Sequence, residues 1–321
     1  MFLVKYGEVS LKSKRVRQQF VNALVGDIKR KMVRWGVEGR VEVEWGALRI
    51  YTENPVGVEN VLRHTFGVVS YAWAVESTSN PRDMEKIAVS LAGDWEGSFA
   101  VRCKRSGTHP YTSQEMAAFL GEKILDSNPR LRVDLRSPEN ILWVEIRGGR
   151  SYFYTEKKEG PGGLPLGTEG RVLLIPDGSV EDTVLAGWFL MRRGANVHIW
   201  GGESGGVSSS ESGSKVDAGS GVSPKDVFAA LEKWGARGVI SDDCSGGGLV
   251  GVVKNKRFNG VAYPARLGAV KEQKRMWVDL WKGGGPWVAV LFPLAGLPAV
   301  VEEKAREWIW EKGPRRSVSG Q

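Results

Sequence analysis

The chain has 321 residues, 41% hydrophobic and 26% charged, which suits two or three globular domains with their own cores. No apolar run approaches the ~18 residues of a membrane helix, and the opening MFLVKYGEVSLKSKR lacks the apolar core of a secretory leader. Two cysteines, Cys103 and Cys244, supply neither a disulfide framework nor a metal cluster, so a cytoplasmic location is expected.

The net charge of +8 is unevenly spread. Residues 1–40 carry ten Lys/Arg against Glu8, Asp27 and Glu38, a local excess of seven positive charges. Such an asymmetry suits a polyanionic partner or a solvated basic face.

FLVKYGEVSL reads as a β-run, followed by a long amphipathic helix in which Phe20, Leu24, Ile28, Met32 and Trp35 recur at helical spacing before Gly36. RVEVEWGALRIYT alternates as a hairpin, PVGVENVLRHTF is a second helix opened by Pro55, and GVVSYAWAVES is one further strand. The order β-α-β-β-α-β predicts a ferredoxin-like unit over residues 1–76. A second unit, 77–165, runs through the helix PRDMEKIAVSLAGDW, the strand SFAVRCKRSG and a helix capped by Thr112 or Ser113 with Glu115 in its first turn. The strands of RVDLRSPENILWVEIRGGRSYFYTEK complete it before the Gly/Pro-rich link KKEGPGGLPLGTEG. From 166 to 312 strands and helices alternate, which predicts a doubly wound parallel sheet. Inside it GGESGGVSSSESGSKVDAGSG reads as a flexible loop, and 313–321 as a disordered tail. The fold class is thus α/β and α+β multidomain.

Several stretches carry a family resemblance. VKYGEVSLKSKRVRQQF, with Gly7, Glu8, Leu11, Lys12 and Arg15, resembles the opening of the tRNA 4-thiouridine synthetases, the thiamine-biosynthesis-type tRNA sulfurtransferases. FAVRCKRSGTHPYTSQEMAAFLGEKIL and VDLRSPENILWVEIRGGRSYFYT are similar to that family's THUMP domain. GPGGLPLGTEGRVLL is similar to its link into the catalytic domain, and thinner similarity continues through GARGVISDD and VLFPLAGLPAVVEEKAREW. The resemblance implies that residues 77–165 are an RNA-binding THUMP domain and that 166–312 form a pyrophosphatase-like (adenine nucleotide alpha hydrolase-like) domain. It also implies a tRNA partner recognised at the acceptor-stem region.

In that family a loop S-G-G-x-D-S binds ATP. Aligned on AGWFLMRRG, this chain has Gly178, Ser179, Val180, Glu181, Asp182 and Thr183 there. The aspartate and a hydroxyl persist, but the Gly-Gly pair is Ser179-Val180, and β-branched Val resists the positive φ that lets backbone N–H groups face a phosphate. Asp177 and Glu181 add charge that would repel ATP by about 1–4 kcal/mol each at contact. The family's persulfide cysteine has no counterpart in the Ser/Gly loop, and Cys244 falls after the GVISDD strand, where a small packing residue is expected. The expected state is a degenerate loop, vestigial at Asp182 and Thr183, with no cofactor; ATP and Mg²⁺ enter only if the alternative, an active ATP-dependent sulfurtransferase using an external sulfur source, holds.

Other chemistries lack their motifs. His64, His109 and His198 form no H-x-x-x-H or H-E-x-x-H pattern. The H-x-E and P-C-x-x-C constellation of zinc deaminases is missing, as is the N/D-P-P-Y/F signature of amino-methyltransferases. RNA binding is better supported. Lys12, Lys14, Arg15 and Arg17 crowd a helix start, and Arg102 and Lys104 share one face of a strand, with Arg105, His109 and Tyr111 nearby. Lys158 joins this set of RNA-binding candidates. The expected partners are tRNA and, beyond it, a second copy of the chain or a competent tRNA-modifying enzyme; no membrane is expected.

Overall fold

The structure is a computed structural model that describes residues 1–7, 13–44, 46–202, 222–241, 249, 252–253, 256–264, 289–291, 293–295 and 297–310. Glu8, Leu11 and Lys12, most of the Ser/Gly-rich stretch, Cys244 and the C-terminal tail lie outside the described residues.

Strand β1 (Phe2–Tyr6), helix α1 (Lys14–Arg34), the hairpin β2 (Arg40–Glu44) and β3 (Ala47–Tyr51), helix α2 (Pro55–Arg63) and strand β4 (Val68–Trp73) form the first unit. Its sheet has the antiparallel order β4-β1-β3-β2 of a ferredoxin-like fold. The helical spacing of Phe20, Leu24, Ile28 and Met32 puts all four on the buried face of α1, against Val4, Leu48, Ile50 and Val58. The helix stops where Trp35 caps it and Gly36 takes φ +62°.

The expected single strand over Gly67–Ser77 is two strands in two sheets. The break is at Ala74, whose N–H donates to the Met1 carbonyl at 2.8 Å. Beyond it β5 (Val75–Thr78) joins the second sheet. Alternation is continuous through the break, so periodicity alone does not reveal it. The second unit comprises α3 (Pro81–Ala92), β6 (Ser98–Ser106), α4 (Ser113–Ser127), β7 (Arg132–Val133), β8 (Asn140–Arg147) and β9 (Arg150–Tyr154), with strand order β5-β9-β8-β6-β7. Thr112 caps α4 by accepting from Glu115 N–H at 3.1 Å, while the Glu115 carboxylate accepts from Thr112 N–H at 2.7 Å. The two sheets meet back to back through Leu3, Ala47, Ala72, Ala74, Tyr152 and Tyr154.

The link does not run free. Its first residues form β10 (Lys158–Glu159), which pairs with the outer edge of β4. Gly163 has φ +76°, and a Cβ there would lie 2.2 Å from the Arg192 carbonyl, so only glycine fits.

The third unit is a parallel sheet of β11 (Arg171–Leu174), β12 (Asn196–Trp200), β13 (Val239–Ile240), β14 (Gly260–Ala262) and β15 (Ala289–Leu291), in the order β13-β12-β11-β14-β15. Helices α5 (Val180–Arg192), α6 (Pro224–Glu232) and α7 (Ala299–Ile309) share a core with Val172, Leu174, Val197 and Ile199 on one face. On the other face Val252 and Val253 share a core with Leu173, Ile175 and Val261. The order reverses between β11 and β14, and the turn after β11 sits at the carboxyl ends beside this switch, where such sheets bind ligands. Strand β14 is absent from the sequence-based expectation: three residues are too few to show a period. Among the described residues no helix is long and apolar enough to cross a membrane.

Candidate functional site

Two places carry candidate chemistry: a basic cleft between the first two sheets, and the turn after β11.

The cleft, about 630 Å³, is lined by Lys5, Tyr6, Arg102, Lys104, Trp143 and Arg147 among others. Strand alternation exposes Arg102 and Lys104 on one side of β6 and turns Cys103 partly inward. Arg102 also donates to the Leu135 carbonyl at 2.6 Å. At the floor, Lys5 on β1 forms an ion pair with Glu145 on β8, which also accepts from the Tyr154 hydroxyl at 3.0 Å and from Arg147 at 3.0 Å. Burial pushes Lys5 below its usual range and Glu145 opposes the shift. Burial alone would raise Glu145, but Lys5 and Arg147 more than offset it and hold the carboxyl below the usual range. The pair is therefore an internal salt bridge that leaves the rim positive.

Burial raises the Tyr6 phenol above its usual range, and Arg17 of α1 and Arg147 of β8 oppose that shift, so Tyr6 feels cations of both units. Lys14 and Arg15 are exposed in the first turn of α1 and Arg17 is half-buried. That first turn holds no acid, so the positive helix end is not neutralised locally. Arg105 is half-buried and donates to the Gly107 carbonyl at 3.2 Å. His109 stacks on Tyr111, centroids 5.5 Å apart at 24°. Lys158 lies elsewhere: β10 holds it 2.8 Å from Glu59, which neutralises it. Sequence reasoning missed Lys5 and Arg147. For Lys5 the signal was a single charge in the apolar run FLVKY.

At the turn after β11, Gly178 has φ +71° and is exposed. Ser179 caps α5, its hydroxyl accepting from Asp182 N–H at 3.0 Å. The Gly178 N–H donates to the Asp177 carboxylate at 2.9 Å, and the Asp177 N–H to the Thr183 hydroxyl at 3.4 Å. The Thr183 N–H donates to the Ser179 carbonyl at 3.0 Å. Thr183 is fully buried, its hydroxyl 2.8 Å from the Ser179 carbonyl and 3.1 Å from that of Asp177. Val180 opens the helix and packs against the core. Arg306 of α7 forms an ion pair with Glu181 and lies 3.7 Å from Asp182. Glu181 and Asp182 thus meet a cation 125 and 124 positions away, which no local pattern announces. Among the described residues no group of three or more His, Cys, Asp or Glu could hold a metal ion. Burial pushes the Cys103 thiol up to about 11, so it is protonated at neutral pH and a poor nucleophile.

Comparisons with known proteins agree with this architecture. Residues 1–72 match the ThiI ferredoxin-like domain and residues 81–156 the THUMP domain. A probable tRNA sulfurtransferase of Methanobrevibacter smithii is 37% identical over 203 residues, 61% of this chain and 51% of that protein. A tRNA sulfurtransferase of Pyrobaculum aerophilum is 38% identical over 203 residues, 61% of this chain and 40% of that protein. The chain therefore spans about half the length of the curated relatives it matches. The crystal structure of PH1313 from Pyrococcus horikoshii superposes with a TM-score of 0.78 at 25% identity, covering 97% of this chain and 99% of that one. The crystal structure of a 4-thiouridine synthetase–RNA complex with bound ATP gives a TM-score of 0.70 at 22% identity, covering 99% of this chain and 88% of that one; at this identity it speaks for the fold. The chain thus carries a ThiI ferredoxin-like domain followed by a THUMP domain, and over 61% of its length it is similar to curated tRNA sulfurtransferases.

Proposed function

We propose that this protein binds tRNA through the cleft between its first two sheets and that its third unit has lost adenylation and sulfur transfer. The observation that carries the second half is the state of the turn after β11. The backbone N–H groups of Asp177, Gly178, Asp182 and Thr183 already donate to side chains or carbonyls of the turn itself. A phosphate cradle needs such groups pointing outward. Glu181 and Asp182 stand beside them, with Arg306 holding Glu181. These residues do not fit a triphosphate, and no reaction step is derived through one. For RNA binding the support is Arg102, Lys104 and Arg147 lining one cleft with Tyr6, on which Arg17 of α1 also acts, and Trp143 offering a ring inside it. Contacts to phosphate and ribose would bind by shape, and the acceptor-stem end of tRNA is the expected target.

A second reading keeps the enzyme. The turn occupies the switch point of the parallel sheet, Asp182 and Thr183 persist, and the curated relatives are named as sulfurtransferases. Under it, Asp182 would position Mg²⁺, Thr183 would touch a phosphate, and an external carrier would supply sulfur.

One pair of measurements separates the readings. Filter binding of tRNA across a salt series should give a log–log slope near −0.9 per phosphate contacted. A flat slope or no binding removes the tRNA reading. Pyrophosphate release from ATP in the presence of tRNA should stay at the no-protein level; release above it restores the enzyme.

A further inference from the structure

A second set of cations crowds the opposite edge of the parallel sheet, at the amino ends of its strands. Arg171 opens β11, and its guanidinium lies 4.9 Å over the Phe258 ring, donates to the Lys256 carbonyl at 2.7 Å and stands 3.5 Å from His198 Nε2. Arg237, exposed on the approach to β13, donates twice to Asn196 Oδ1 at 3.1 Å, and Asn196 is the register partner of Arg171. Arg257 is exposed in the turn into β14. The strands β12, β11 and β14 are neighbours at ~4.8 Å, so these groups form a row roughly 10 Å wide. Arg30 of α1 acts electrostatically on Arg237, and Asp27, which opposes it, is already shared by Arg30 at 3.2 Å and Lys31 at 2.8 Å.

Two further observations mark the row as more than a solvated face. Arg257 has φ +53°, the one non-glycine residue among those described in the left-handed region, a conformation that costs ~1–2 kcal/mol beside glycine. The turn keeps an arginine where glycine would be relaxed. The cations also press on one another. Burial, then Arg171, Arg237 and Lys256, push His198 down to about 4, and burial, then Arg30, lowers Arg237 itself. A polyanion would relieve that repulsion.

We propose that Arg30, Arg171, Arg237, Lys256 and Arg257 form a second phosphate-binding surface that takes RNA backbone, separate from the cleft. The choice of RNA rests on the reading of the chain as a tRNA-binding protein. Planar guanidinium groups suit phosphate, which they can meet with two parallel bonds. The two surfaces lie toward opposite ends of α1: fifteen positions separate Arg15 from Arg30, about 22 Å at 1.5 Å per residue. One RNA longer than that gap can touch both.

The test compares wild type, Arg237→Gln/Arg257→Gly and the single Arg257→Gly, with full-length tRNA and with poly-glutamate as an acidic-polypeptide probe. The double variant should reduce the steepness of the salt slope by about 1.8, roughly 0.9 per contact, and weaken binding about ten-fold or more at 0.1 M salt. Arg257→Gly should lose about half of that slope while melting at or above the wild-type temperature, so a folding defect cannot imitate the result. An unchanged slope, with wild type still binding tRNA, overturns this surface and leaves the cleft reading intact. A wild type that binds no tRNA removes both. Weakened binding of poly-glutamate alone would overturn RNA in favour of an acidic protein partner.

Discussion

Lys31 counts toward the basic excess of the first forty residues, yet it is 4% exposed. Its ammonium donates to Asp27 at 2.8 Å, to the His64 carbonyl at 2.6 Å and to the Trp234 carbonyl at 3.4 Å. Position 31 lies beside Leu24 and Ile28 on the helix, so it borders the apolar face, but its burial depends on a third-unit residue 203 positions away. Charge counting cannot see that contact. Replacing Lys31 by Met should cost about 3 kcal/mol in urea unfolding, because Asp27 is then left buried with only Arg30. His64 lies at the same joint, its ring between Trp35 and Trp234. Burial lowers it to about 4 from 6.5. The unfolded chain therefore binds the proton more tightly. This stability is complete above pH 6.5, is lost as pH falls towards 4, and is worth up to roughly 3 kcal/mol. Unfolding measured at pH 7, 5.5 and 4.5 should show a decline that His64→Phe reduces and that His198, also lowered to about 4, continues to supply in part.

At the scale of elements, helices were the most legible parts. The Thr112 cap, Pro55 at a helix start and the 20-24-28-32 stripe each have a local physical cause, and each holds. The hairpin and the alternating third unit were legible for the same reason. What escaped was set by partners distant in sequence: the handover at Ala74, the short β14 and the return of Lys158–Glu159 to β4. The turn before α5 shows both cases. Ser179 looked like a lost glycine, and in the structure it is a helix cap. Ser179→Gly/Val180→Gly should therefore destabilise the fold by about 1 kcal/mol, read as a lower melting temperature, through the weakened cap and the glycine added at the helix start. It should not create ATP binding, because the Asp177 and Thr183 contacts remain. Calorimetric titration with Mg-ATP checks this; micromolar binding by the variant would mean that those two substitutions alone had closed the site.

Across the molecule, the three five-stranded sheets of the described residues are joined by polar contacts at defined points. Lys5 and Glu145 join the first sheet to the second; Lys31, and Arg34 with Glu232, join the first unit to the third. Phe66 of the first unit packs between Trp188 and Trp234 of the third, centroids 5.4 and 5.1 Å away. Lys31→Met should loosen this joint selectively. Limited proteolysis is expected to cut within 160–170 faster than in wild type while residues 1–156 stay protected; equal rates would show that the aromatic contacts alone hold the joint.

The pairing of Lys158–Glu159 with Tyr71 and Ser70 has a consequence for motion. The chain leaves the first sheet at the end of β4, builds the whole THUMP domain, and comes back to the side of that same strand. The domain is topologically an excursion from one strand, mounted at both of its roots. A body held at two adjacent points cannot swivel as one on a single tether can. The basic cleft between the first two sheets is in this sense a fixed jaw, mounted on the strand that both roots share.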